Sequence, residues 1–294
     1  MTKDNSKNLN LLIIVSALGY FVDVYDLLLF GVVKAASLTG IGIVDDQLSV
    51  GISLTNYQVV GLVIGGLIWG MLGDKKGRLS VLFGSILLYS IANIGNAFVH
   101  DLEMYKLCRF FAGVGLAGEL GAGITLVMET NSNRKTNYGP QIITGFGLLG
   151  AVMAGILGQI LDWRTTYLIG GIMGLVLLLM RIGVRQDSDL YLKQEKNVVK
   201  GNFLMFFNNA KTFKKYINCI LIGLPVYFVI ALLIQSAKEL GAGYNLVVTS
   251  GTATIVCYVA FAISDFGFTY LSSRISSRKK VFIGLHIASF VMLL

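Results

Sequence analysis

A chain of 294 residues that is 55% hydrophobic and only 14% charged, with a mean hydropathy of +0.73, cannot present a soluble surface to water over its whole length. That excludes an ordinary soluble globular protein. The formal charge of +8, from 24 Lys and Arg against 16 Asp and Glu, suggests a nucleic-acid partner until the positions of the basic residues are considered.

A helix that spans a bilayer takes about 20 mostly apolar residues. In chain order such runs lie at Leu11 to Val33, Tyr57 to Leu72, Val81 to Val99, Leu102 to Met128, Tyr138 to Leu161, Thr165 to Met180, Tyr216 to Ser236 and Asn245 to Leu271. They predict an all-α polytopic membrane protein with about eight complete spans. A ninth apolar run opens at Val281 and meets the chain end at Leu294 before it can cross a hydrocarbon core, so the architecture reads as truncated. The polar segment 1–10 leads into an apolar helix longer than a signal-peptide core and without a small-residue cleavage site, so the first span is expected to stay in the protein.

With the spans drawn and the N-terminus placed in the cytosol, nineteen of the 24 basic residues fall on the inner side. Only Lys34, Lys106, Arg164 and Lys238 fall outside, and Arg109 alone lies within a span. That asymmetry is the positive-inside pattern. The basic charge therefore orients helices and meets anionic headgroups, which removes the nucleic-acid reading.

Residues 182–215, rich in Lys, Asp, Gln and Asn, read as a cytosolic linker. The expected organisation is a tail at 1–10, a six-helix bundle at 11–181, the linker, and an incomplete second bundle at 216–294. Glycines recur at three- and four-residue spacings, as in Gly61, Gly65, Gly66 and Gly70 or Gly147, Gly150, Gly155 and Gly158, which suits close helix packing where lipid supplies no hydrophobic drive. Pro225, after Gly223, marks a kink or hinge in span seven. The loop at 73–78 has a weaker echo at 272–278, consistent with two repeated halves.

Cys108, Cys219 and Cys257 sit inside apolar runs at unrelated spacings, so neither a disulfide framework nor a zinc site is expected. No cofactor is expected either. Only His100 and His286 are present, and no His-Glu-x-x-His or Gly-x-Ser-x-Gly occurs, so the chain reads as a non-enzyme.

The remaining candidates are charges that apolar spans tolerate, because an ionisable group in a span is costly and is usually paired or faces water. By helical rise Asp26 lies about 10 Å from the outer end of span one, and Arg109 about 12 Å below Asp101. They are at matching depth, and antiparallel neighbours would bring them together as a proton-coupling pair or as a fixed structural one. Asp23 sits one helical turn below Asp26, about 4.5 Å nearer the membrane centre. Glu119 lies below Arg109. Together with Tyr20, Tyr25 and Tyr227 they are candidates for a substrate cavity, against a packing role.

The loop Gly70-Met71-Leu72-Gly73-Asp74-Lys75-Lys76-Gly77-Arg78 combines glycines for tight helix ends with Asp74 and Arg78, which can pair across the turn and latch one conformation. Its spacing resembles the cytoplasmic loop signature of the major facilitator superfamily. Asp23-Val24-Tyr25-Asp26 resembles the first span of that superfamily's metabolite:proton symporters, and Arg109, Gly113, Gly118, Glu119 and Glu129 match their fourth span. The sugar porters share parts of the same pattern. The likeness covers the N-terminal half and departs after Glu129, where Asn131 to Arg134 lack the expected proline.

This resemblance implies the superfamily's fold and proton-coupled symport of a small polar metabolite, an organic acid, amino acid or betaine-like solute, by alternating access. A facilitative uniporter, a sugar transporter of the same superfamily and a transport-dead membrane sensor are the alternatives. Gly70, Gly73, Asp74, Gly77 and Arg78, with Glu129 and Arg134, would form an inner gate. The expected partners are the solute, protons and the lipid bilayer, the expected state a monomer, and the expected location a bacterial cytoplasmic membrane.

Overall fold

In hydrocarbon a chain must satisfy its own backbone donors and acceptors, which an α-helix does within one segment. The computed structural model describes residues 3–119, 139–182, 209–275 and 277–293, and every element among them is helical. In chain order these are α1 (Lys3–Gly40), α2 (Gln47–Lys76), α3 (Arg78–Ala97), α4 (Leu102–Leu116), α5 (Gly139–Ile160) and α6 (Trp163–Ile182). There follow α7 (Ala210–Phe228), which runs into a π-helical stretch (Val229–Ile234), then α8 (Ala237–Gly243), α9 (Ser250–Ile275) and α10 (Arg278–Leu293). Most of the expected linker lies outside the described residues.

Among the described residues six helices are long and apolar enough to cross a membrane: Ile13–Gly40, Gln47–Lys76, Ser80–Ala97, Ile142–Ile160, Trp163–Ile182 and Ser250–Ser272. The other two of the eight expected spans fall short for local reasons. The expected span four, Leu102 to Met128, includes residues 120–128, which lie outside the described residues. Span seven begins in α7, whose first turns carry Lys211, Lys214 and Lys215. Pro225 supplies no backbone N–H to that helix, and from Val229 the chain turns to π geometry, with Gln235 N–H donating to the Ile230 carbonyl at 3.2 Å.

α1 and α2 overrun the apolar stretches that predicted them, because protein packs their ends where lipid would not. Beyond Val33, Ser37 and Leu38 are fully buried, and Trp163 lies against Gly40. The start of α2 is tied down by Gln47, whose Nε2 donates to Thr39 Oγ1 and to the Ile43 carbonyl, each at 2.9 Å. At the other end of α2, Gly77 has φ +90° and donates its N–H to the Gly73 carbonyl at 3.1 Å, a left-handed conformation that favours glycine and lets α3 begin at once.

α1 packs chiefly on α5 and α6, while α4 packs on α2 and α3, and α3 also meets α6. α9 lies along α5 and touches α1, joining the predicted second half to the first. Two of the crossings need glycine. A Cβ at Gly113 would run into the carbonyl oxygen of Gln58, and one at Gly150 into that of Phe21. The small-residue pattern is therefore not uniform: Gly61 and Gly65 face the α4 backbone, whereas Gly66 and Gly70 have no neighbour near the position a Cβ would take among the described residues.

These contacts set a graded expectation. Gly113→Ala should destabilise the protein by about 1–3 kcal/mol, the usual cost of overpacking, while Gly66→Ala should stay within about 0.5 kcal/mol of wild type. Thermal unfolding of the purified protein in detergent reads both. Equal effects at the two positions would contradict the packing described.

Candidate functional site

Arg109, in the second turn of α4, is fully buried. Its Nη2 donates to Gln58 Oε1 of α2, and its guanidinium lies over the Phe30 ring, 4.6 Å from the centroid. The remaining Nε and Nη1 have no hydrogen-bond partner among the described residues. Asp26, on α1, is equally buried, and neither of its oxygens makes a hydrogen bond of normal geometry among the described residues. The polar groups that act on it are the Arg109 charge and the Asn93 amide. One Asp26 oxygen occupies the space that a side chain at Gly170 would fill.

The two residues thus share one buried region, but they are not the bonded pair that antiparallel neighbours would make. The reason is the helix arrangement: α1 packs on α5 and α6, while α4 is held by α2 and α3. Gln58, a neutral residue at the edge of an apolar run, takes the place expected for Asp26.

One turn down α1, Asp23 is buried and both its oxygens lack hydrogen-bond partners among the described residues. Glu119, just beyond α4, is also buried, and its partner is Arg181 at the end of α6. Arg181 Nη2 meets Glu119 Oε1, and Nη1 donates to Oε2 at 3.1 Å, the two-pronged geometry that suits guanidinium and carboxylate. Arg181 counts by sequence among the basic residues of the inner side. The structure buries it, with only 2% of its surface exposed. Its one available signal is position, the first charge after an apolar run ends.

The other expected residues are distributed unevenly. Tyr25 is fully buried, and its hydroxyl donates to the Thr166 carbonyl at 2.9 Å, which ties α1 to α6. Tyr20 is half-buried, with its ring against the backbone at Gly147. Tyr227 lies at the end of α7, and its side chain is outside what the structure describes. In the loop, Gly73 is buried, Asp74 is exposed and Gly77 forms the turn. The Arg78 side chain, Glu129 and Arg134 lie outside the described residues.

Polar contacts also join the predicted halves at both ends. At the predicted outer end Lys34 of α1 pairs with Glu239 of α8 at 2.9 Å. At the opposite end Thr144 Oγ1 of α5 donates to Asp265 Oδ2 of α9 at 2.9 Å. Asp265 of α9 thus finds a partner across the interface.

Helices that bury charges along their shared axis, joined by tight glycine crossings, define a polytopic membrane protein with a polar interior. The sequence profile of the Major Facilitator Superfamily matches residues 12–294, and the chain belongs to that superfamily. It is 32% identical over 159 residues to a putative metabolite transport protein of Haemophilus influenzae, covering 53% of this chain and 38% of that one. It is 24% identical over 288 residues to the sialic acid transporter NanX of Escherichia coli, covering 94% and 68%. It is 29% identical over 202 residues to the benzoate transport protein of Acinetobacter baylyi, covering 66% and 42%. The chain therefore spans well under half of two of these relatives and about two thirds of the third.

The outer-end pair gives a pH expectation. Partial burial alone would raise the Glu239 carboxyl, but the Lys34 hydrogen bond and charge hold it below its usual value. A depressed carboxyl adds stability above its unfolded value, about 4.3, and loses it as pH falls through the lowered folded value. Glu239→Gln should thus cost about 0.2–1 kcal/mol at neutral pH, with no difference from wild type once the carboxyl is protonated. Thermal unfolding followed down the pH scale checks this, and a cost that persists in acid would contradict it.

Proposed function

We propose that this protein is a secondary active transporter that carries a small polar metabolite, most simply a carboxylate, together with a proton by alternating access. The observation that carries the proposal is a set of buried hydrogen-bonding groups without partners among the described residues. Arg109 Nε and Nη1, both oxygens of Asp26 and of Asp23, Gln58 Nε2 and Asn93 Nδ2 come from four different helices. A buried polar group without a partner is expensive, and a bound solute and its proton offer such groups partners. Names among the relatives support the solute class, since sialic acid and benzoate are carboxylates. A guanidinium whose Nε and Nη1 lack partners among the described residues suits a carboxylate.

The coupling follows from the charges. An ionised Asp26 faces the Arg109 guanidinium and competes with an anionic solute for it. A proton on Asp26 removes that competitor, so solute binding and protonation favour each other. The loaded first half then rocks against α9 and its neighbours, opening toward the cytosol. Gly70, Gly73, Asp74, Gly77 and Arg78, with Glu129 and Arg134, would gate the inner side, while Tyr20, Tyr25 and Tyr227 would shape the cavity. The positive-inside pattern supports a cytosolic N-terminus in a bacterial cytoplasmic membrane.

Reconstituted protein offered labelled sialic acid, benzoate, an amino acid and a sugar, with and without an inward proton gradient, tests the reading. Accumulation of at least one carboxylate should require the gradient, and Asp26→Asn should abolish accumulation while leaving exchange across the membrane. Uptake indifferent to the gradient would instead make the protein a facilitative carrier. Full gradient-driven accumulation by Asp26→Asn would contradict the coupling role.

A further inference from the structure

The deeper of the two buried charge groups holds two carboxylates and one guanidinium. Arg181 satisfies Glu119 with both prongs, which leaves Asp23 buried with neither oxygen bonded among the described residues. Asp23 nevertheless feels both members of the pair: Glu119, Arg181 and Asp26 are the charged groups that act on it, and Tyr89 of α3 shares its surroundings.

The geometry of α1 places the pair beside Asp23. A Cβ at Gly19 would collide with Glu119 Oε1 and with Arg181 Nη2. The ion pair therefore rests directly on the α1 backbone where that helix has no side chain. Gly19 and Asp23 are four residues apart, hence on one face of the helix and about 6 Å apart along its axis. The arginine side chain thus lies against the same face of α1 that carries the unpartnered Asp23 carboxylate.

We infer that Arg181 is a shared counter-charge: it holds Glu119 in the conformation described here and takes Asp23 as its partner when Glu119 is neutralised. Spans one, four and six are then tied by a bridge that changes hands. Neutralisation of Glu119 by a proton releases the guanidinium, which needs a new anion because a buried unpaired charge is strongly unfavourable. Asp23 is the carboxylate within reach that has no competing bond. Arg181 thereby positions Asp23 and Glu119 without itself touching solute. Its use in transport rests on the proton-coupled reading above, whereas the exchange of partners is a property of the helical bundle and can fail or hold independently.

A double-mutant cycle on the purified protein, read by thermal unfolding in detergent, tests the exchange without any substrate. In the wild-type background Asp23→Asn should shift the midpoint little, since Arg181 is engaged elsewhere. In the Glu119→Gln background the same substitution should cost at least about 3 °C more, because it removes the partner Arg181 has adopted. The excess should vanish when Arg181→Gln is added. If Glu119→Gln does not fold, Glu119→Asp, which shortens the carboxylate and loosens the grip, should show the same excess in smaller measure.

Equal costs of Asp23→Asn in both backgrounds would show a fixed Glu119–Arg181 pair and overturn the inference. An excess that survives loss of Arg181 would also overturn it, since another group would be the carrier. Neither result bears on Asp26, whose role is read from gradient-driven uptake.

Discussion

The burial of Arg109 is the constraint around which the first half of this protein is organised. A guanidinium cannot be deprotonated to escape a low-dielectric interior, so its surroundings must answer its charge. Gln58 takes one N–H, the Phe30 ring covers the cation, and Asp26 supplies negative charge from α1. Gln58 comes from α2, while Phe30 and Asp26 both come from α1. The position of Arg109 therefore depends on how closely α2 and α4 approach, and Gly113 sets that approach by leaving room for the Gln58 carbonyl.

The same logic repeats one turn deeper. Glycine at position 19 lets the Glu119–Arg181 pair lie on the α1 backbone, and glycine at position 170 makes room for Asp26. Close packing and polar chemistry are thus one arrangement in this bundle: where the backbones approach without side chains, charges fit between them. A buried apolar cluster lies toward the predicted outer end, where the Tyr105 and Tyr167 hydroxyls are bonded to one another at 2.8 Å.

Much of this was legible in the sequence, and what was hidden has a physical reason. The apolar runs marked the helices, and Asp23, Asp26, Arg109 and Glu119 stood out because a charge within such a run has few explanations. Partnerships were not legible, because they depend on which helices touch. Equal depth in the membrane suggested an Asp26–Arg109 bond, yet α1 and α4 have other principal neighbours, and Gln58 intervenes. Arg181 was absorbed into the basic residues of the inner side, where charge needs no further account. Its burial is visible only once the end of α6 is brought against Glu119 and Gly19. The overrun of α1 past Val33 was hidden for a similar reason, since it is supported by Trp163, distant in sequence.

The most direct measurement is an experimental structure of the reconstituted protein with the carboxylate solute that uptake identifies. The account predicts the solute carboxylate on the Nε and Nη1 groups of Arg109, next to Asp26. A solute bound elsewhere, with those groups of Arg109 still without it, would contradict the central claim.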